Sequence, residues 1–214
     1  MARKPADQSV SRDDIITAAA DVLHRSGYEA TTMKDIAAAV NLTAASLYHH
    51  FKNKDALLLA VLEGGLDYAI ERIEPIIESD KKSAQKLREM THVHVVSLTE
   101  NTAVGAAMVF EIRALLNVKT PIQANGQSED LDEDFAARRD AFFARRDYFE
   151  DLFRRVIRDG VERGEFHAVD VSIFTKALLG AHNWVGVWYR PDGRLTGAQI
   201  ADMMADTFLR SLEQ

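Results

Sequence analysis

The 214-residue sequence predicts an all-α protein of about nine helices. Three short helices form an N-terminal helix-turn-helix head, and a long fourth helix joins it to a helical body. Three observations predict this. Val/Ile/Thr runs with two-residue alternation are missing, and apolar residues recur instead every three or four positions. Only four prolines occur, so long helices are permitted.

Each element has its own signals. Ser11 is placed to cap the first helix, with Asp14 as its capping-box partner. Ile15, Ala19, Val22 and Leu23 form one face, and Gly27 suits the helix end. Thr32 caps a second helix with Asp35 in the box position, and Met33, Ile36, Ala37 and Val40 make its buried stripe. Asn41 follows where the turn needs a left-handed backbone, which Asn tolerates better than most residues. Thr43 caps a third helix whose inward face is Ala44, Leu47 and Phe51. Asn53 caps the fourth, about 54–78, with Leu58, Val61, Leu62, Leu66, Ala69, Ile73 and Ile76 as its stripe. Gly64, Gly65 and Pro75 weaken that helix, each Gly by about 1 kcal/mol relative to Ala.

The body continues with helices near 83–101 and 103–117. A polar loop near 118–134 follows, with five acids (Glu129, Asp130, Asp132, Glu133, Asp134), and is expected to be mobile. A long helix, about 135–163, ends at Gly164. Two last helices, near 170–189 and 197–212, flank a turn at Pro191-Asp192-Gly193. Head and body share the fourth helix. The expected domains are residues 1–54, the helix-turn-helix head, and 55–214, the helical body, with no flexible linker.

Composition narrows the chemistry. There is no cysteine, which excludes disulfides, thiolate zinc sites and thiol nucleophiles. No apolar run approaches a membrane span, and MARKPADQSVSRDD lacks the apolar core of a signal peptide. A cytoplasmic protein without membrane contact is expected. A Gly-rich phosphate loop, a nucleophile elbow and metalloprotease-type His/Glu pairs are all missing, so neither an enzyme nor a cofactor is expected. His92 and His94 stand two apart on a helix, on different faces, and make a poor metal pair. The net charge of −7 is uneven. Residues 1–54 carry seven Lys/Arg against six Asp/Glu, and the rest carries 19 against 27. A near-neutral head on an acidic body suits a DNA contact confined to one end.

The third helix has the properties of a helix laid in a major groove. It carries no acid, and its outward positions are small or polar: Ala45, Ser46, His49 and Lys52. Small side chains let the backbone approach the bases, and an Ala can meet a thymine methyl. Thr32, Thr43, Tyr48 and His49 can donate to phosphate. Lys54 opens a helix, where dipole and side chain both favour an anion.

The stretch from 11 to 58 resembles the DNA-binding head of TetR-family transcriptional regulators. Thr32, Ile36-Ala37, Leu47-Tyr48-His49-His50-Phe51 and Asn53-Lys54-Asp55-Ala56-Leu57 carry the resemblance. The turn departs from the family pattern, with Val40-Asn41-Leu42 where Ala-Gly-Val is usual. The resemblance implies operator DNA as a partner, with Thr32, Thr43, Ala44, Ala45, Ser46, Tyr48, His49 and Lys54 at the interface. It also implies a homodimer reading a pseudo-palindrome, a repressor released by a ligand.

Two regions of the body bear on this. Residues 169–189 are apolar on nearly every face, which calls for packing on one side and a partner on another. Ala177, Gly180 and Ala181 there, with Ile200, Met204, Phe208 and Leu212 on the last helix, are the expected dimer residues. Leu87, Met90, His94, Phe110, Arg113, Phe149, Phe153, Asn183, Trp184 and Trp188 are candidates for an effector cavity. The same aromatic and Met stripes also read as plain core. Residues 183–193, NWVGVWYRPDG, look like the matching stretch in a TetR-family branch that controls fatty-acid and sterol degradation. That likeness implies a small hydrophobic effector of the acyl-coenzyme A class. Its phosphates would meet cations such as Arg113, Arg145, Arg146 or Arg190. The Arg pairs at 138–139, 145–146 and 154–155 suit a solvated face or a second anion site.

Overall fold

Residues 10–117 and 129–213 are described by the structure, a computed structural model, and among them ten α-helices and no strand are found. The helices are α1 (Arg12–Ala30), α2 (Met33–Ala39), α3 (Ala44–His50), α4 (Lys54–Glu78), α5 (Ser83–Glu100), α6 (Thr102–Phe110), α7 (Ile112–Asn117), α8 (Glu129–Glu162), α9 (Val171–Trp188) and α10 (Gly197–Arg210). None of the described helices is by itself long and apolar enough to cross a membrane.

The head's helices start where their caps predict. The Ser11 hydroxyl accepts the Asp14 N–H at 3.1 Å, and the Asp14 carboxylate accepts the Ser11 N–H at 2.9 Å. Thr32 and Asp35 repeat this reciprocal box at the start of α2. Gly27 leaves the helical region with φ 74° and ψ 161°, so α1 breaks there and makes one further turn to Ala30. At the end of α2, Asn41 takes φ 56°, alone among described non-glycine residues in the positive range. The Leu42 N–H then bonds the Ala37 carbonyl at 2.8 Å and the Asn41 N–H bonds that of Ala38 at 3.2 Å. These are the paired bonds of a Schellman ending, which satisfy carbonyls the helix leaves open. They aim the chain into α3.

α4 runs unbroken through Gly64-Gly65 and Pro75, with Asn53 accepting the Ala56 N–H at its start. It packs on α5 and α8 in the body and on α1 in the head. α5 is covered by α10, whose Ile200, Ala201, Ala205 and Leu209 are buried. α6 and α9 meet where Gly105 faces Gly186. A Cβ on Gly186 would lie 3.1 Å from the Gly105 backbone, so this close approach depends on glycine. Lys82 provides no side-chain cap for α5. Glu165, from beyond α8, accepts the Ser83 N–H at 2.7 Å instead. α8 ends at Gly164 with φ 70°, as expected.

Three features differ from the sequence reading. The helix expected over 103–117 is two, α6 and α7, divided at Glu111. The Glu111 carboxylate turns to the head, where a Cβ on Gly27 would lie 3.9 Å from its Oε1. No Gly or Pro marks this break. α8 begins at Glu129, six residues before the expected 135, so part of the expected polar loop is helix; 118–128 lie outside the described residues. Two arginines of the expected solvated face also reach α4, while Arg145, Arg146 and Arg155 are exposed as that reading has them. Arg138 reaches Glu63 at 2.6 Å, and Arg145 pairs with Asp67, both acids standing on α4.

The turn gives the first prediction. Replacing Asn41 by Gly should keep or raise the urea midpoint, because glycine takes positive φ freely. Replacing it by Ala should lower stability by about 1–2 kcal/mol, the cost of a left-handed residue with a Cβ. Equal midpoints for the Gly and Ala variants would contradict the turn.

Candidate DNA interface and ligand cavity

The head's exposed surface is built around α3. Leu47 is fully buried and Phe51 nearly so, which anchors the helix from below. Thr43, Ala45, Tyr48, His49 and His50 are exposed, and Ala44 and Ser46 partly so. Tyr48 is 52% exposed, which leaves its ring and hydroxyl on the surface. Thr43 caps α3 by accepting the Ser46 N–H at 3.1 Å, and its hydroxyl also lies 2.9 Å from that of Ser46. α3 carries no acid, and the nearby Asp35 is held in its capping box, which lowers its pKa through the Thr32 hydroxyl and backbone. Lys54 is differently engaged than its sequence suggests. Its ammonium donates to the carbonyls of Tyr28 at 2.6 Å and Thr31 at 2.9 Å, and sits 4.0 Å from the Tyr28 ring centroid. Two of its three donors therefore hold the head together, leaving one for an anion.

The body holds a cavity of about 520 Å³. α1, α4, α5, α6, α8 and α9 all contribute to its wall. Ile16 and Thr17 reach it from the head's own first helix. Four wall positions have no side chain to fill the space: Gly64, Gly65, Gly105 and Gly180. A Cβ on Gly64 would touch nothing within 4 Å, whereas one on Gly65 would lie 2.4 Å from Val104 Cγ1. Of the expected effector residues, His94, Phe149 and Asn183 line the cavity. Arg146, Glu150 and Lys176 line it too; Glu150 is engaged by Arg154 and by Lys176, the latter at 3.0 Å.

The other expected effector residues lie elsewhere. Leu87, Met90 and Phe153 are at most 1% exposed and belong to the solid core. Phe110, Arg113, Trp184 and Trp188 are exposed and off the cavity. The reason is helical geometry: Asn183 faces the cavity, and Trp184, about 100° further round α9, faces out. Trp184 stacks edge-on to Phe110 at 6.4 Å. With Ile173, Ala177, Gly180, Ala181 and Trp188, Trp184 forms one outward apolar stripe of α9, on which Ile173, Trp184 and Trp188 are 65%, 53% and 47% exposed. The expected dimer residues of α10 turn inward instead. Ile200 and Leu212 are buried inside this chain, and Met204 and Phe208 are half-buried. Their stripe covers α5 and α9, leaving Met203 on the outside.

One of the cavity's polar lining residues, His94, is paired with a second, fully buried histidine, His182. His94 Nδ1 and His182 Nδ1 are 3.3 Å apart. Phe149 and Phe153 stand against His94 with centroids at 5.0 and 6.1 Å. Burial pushes the His94 pKa down to about 4, and burial, then the neighbouring His94, pushes His182 down as well. Both rings are neutral at pH 7.

A helix-turn-helix head joined to a hollow helical body defines a regulatory protein of the ligand-sensing type. Residues 15–61 match the family model of bacterial regulatory proteins, tetR family, and residues 123–212 match that of the tetracyclin repressor-like C-terminal domain. The chain belongs to the TetR family of transcriptional regulators. It is 28% identical to the HTH-type transcriptional repressor KstR2 of Rhodococcus jostii (strain RHA1), over 99% of this chain and 98% of that one. The crystal structure of the TetR family regulator PfmR from Thermus thermophilus superposes with a TM-score of 0.77 at 30% identity, covering 94% and 99% of the two chains. AibR, solved in complex with isovaleryl coenzyme A and operator DNA, matches with a TM-score of 0.72 at 26% identity, covering 92% and 96%.

Two predictions come from the cavity. Gly65→Ala should destabilise by about 1–3 kcal/mol through overpacking against Val104, while Gly64→Ala should leave the melting temperature unchanged or higher. Similar losses in both would show that the helix, not its neighbours, sets the cost. The histidines set a pH dependence. Unfolded imidazoles titrate near 6.5 and His94 in the fold near 4, so on acidification the unfolded chain binds protons first. Stability from this pair is full above about pH 6.5 and is lost as pH falls towards 4. Between pH 7.5 and 5 the unfolding free energy should drop by roughly 1–3 kcal/mol. That drop should shrink in a His94→Phe, His182→Leu double variant.

Proposed function

We propose that the protein is a dimeric, ligand-responsive transcriptional repressor. It binds a pseudo-palindromic operator through α3 and releases it when a small hydrophobic effector, an acyl-CoA thioester, enters the cavity. The observation that carries this reading is the cavity wall: Ile16 and Thr17 belong to the head's α1, so an occupant touches the DNA-binding unit itself. An occupant that prefers one placement of α1 over another shifts the head between binding and released states. The acyl chain fits the apolar interior. Arg146, at the cavity wall and without an ion-pair partner among the described residues, and Lys176 suit the coenzyme's phosphates. The complex of the similar protein AibR with isovaleryl coenzyme A and operator DNA supports this effector class. The name of KstR2 supports the sign of regulation. Thr32, Thr43, Ala44, Ala45, Ser46, Tyr48 and His49 contact DNA in this reading, with Lys54 giving its remaining donor to phosphate. The small side chains of α3 make few base-specific bonds, so two half-sites read by two heads supply the specificity. A cytoplasmic location follows from the same role. A different apolar or aromatic effector on the same DNA-binding protein is the alternative.

Fluorescence anisotropy of a labelled operator tests the effector. Acyl-CoA thioesters should release the DNA, with an optimum chain length, and Arg146→Glu should weaken the response at least tenfold. Release by free fatty acids or aromatics alone would replace the acyl-CoA assignment with the alternative. The dimer face is tested by sedimentation. Ile173→Glu with Trp184→Glu should yield monomers that no longer hold the operator; an intact dimer would place the interface off α9.

A further inference from the structure

We infer that His94 and His182 form a fixed-tautomer relay that presents a single N–H donor, His94 Nε2–H, to the ligand cavity, so that the effector carries an uncharged hydrogen-bond acceptor, a carbonyl, on its apolar body. This rests on the reading of the cavity as the effector site.

The geometry comes first. The two Nδ1 atoms face each other at 3.3 Å, so one must carry a hydrogen and the other must not. Among the described residues, the buried side-chain atoms without a hydrogen-bond partner are Thr91 Oγ1, Arg154 Nε and His182 Nε2. His94 Nε2 is not among them, and no described protein group bonds it. His94 lines the cavity and keeps 5% of its surface accessible, so Nε2 opens onto that space.

The tautomer follows from what His182 can tolerate. If His94 donated through Nδ1–H, neutral His182 would carry its hydrogen on Nε2, a buried donor with no acceptor. A buried N–H without an acceptor forfeits its hydration with nothing in return, and orphaned buried N–H groups are rarer than under-satisfied acceptors. If His182 Nδ1–H donates to His94 Nδ1, the orphan is only a lone pair. His94 then carries its hydrogen on Nε2, facing the cavity. The rings of Phe149 and Phe153 hold His94 in place.

The donor selects by chemistry. Burial alone displaces the titration of His94, with no charged side chain contributing. A carboxylate held against His94 would give up its water for one neutral donor, which is unfavourable. A hydrocarbon would leave the donor unpaired. A thioester or ketone carbonyl satisfies it at low desolvation cost, and Arg146 and Lys176, which also line the cavity, remain for the coenzyme's phosphates. His94 is thus a specificity residue and His182 the residue that positions its proton.

Nitrogen-15 NMR of the full-length protein without ligand reads the tautomers directly. The expected result is Nε2–H on His94 and Nδ1–H on His182; the reverse assignment overturns the inference whatever the cavity binds. Calorimetry then compares an acyl-CoA thioester with the thioether in which the carbonyl is replaced by CH2. The thioester should bind about tenfold tighter, the value of one hydrogen bond. The gap should vanish in His94→Phe and partly return in His94→Gln, which keeps an N–H donor. Equal binding of thioester and thioether by the unmodified protein overturns the inference. If neither coenzyme A compound binds, the acyl-CoA reading fails separately. A 2-alkanone and the n-alkane of the same length then replace them as probes, and a lack of preference for the ketone overturns the relay.

Discussion

The position of the head rests on one ammonium group. A helix leaves its last carbonyls without partners, and α1 ends at the point where head and body meet. Lys54, the first residue of α4, donates to the carbonyls of Tyr28 and Thr31 and lies over the Tyr28 ring. The Tyr28 hydroxyl in turn donates to Asp55, and the Glu111 carboxylate, between α6 and α7, lies beside the backbone at Gly27 and Tyr28. One residue of the head thereby touches the start of α4 and the break in the body. Burial raises the pKa of both Tyr28 and Glu111, as expected of groups enclosed at a joint. With this corner fixed, α4 leaves at a set angle, Phe51 closes under α3, and the outward face of α3 is determined.

The head was legible in the sequence because its signals are local. Caps at Ser11, Thr32, Thr43 and Asn53 act within three residues, and the left-handed turn at Asn41 needs only its own backbone. Such features depend little on the distant chain. The helices of the body were legible for the same reason, from the stripe of α4 to the Gly164 ending of α8.

The cavity was not legible, and the cause is physical. Sequence periodicity marks which side chains are apolar, and an empty space is made where side chains are missing. The stripe that names Leu87, Met90 and Phe153 is filled core, whereas the wall contains Gly64, Gly65 and Gly180. The double glycine in mid-α4 was the available signal, and it reads as weakness in a helix until its neighbours are known. The break at Glu111 was hidden likewise, because no residue with special backbone freedom marks it. The inward turn of Ile200 and Leu212 reflects a choice between two apolar surfaces, α5 of the same chain or a second copy. Hydrophobicity alone does not distinguish them.

α9 joins the two surfaces that matter most in the body. Gly180 lies on its outward stripe and also on the cavity wall. With no side chain there, only backbone stands where the cavity wall meets the exposed apolar face. Whatever fills the space presses on a thin wall whose far side is exterior surface. Volume inside is thereby coupled to shape outside through a residue common to both surfaces.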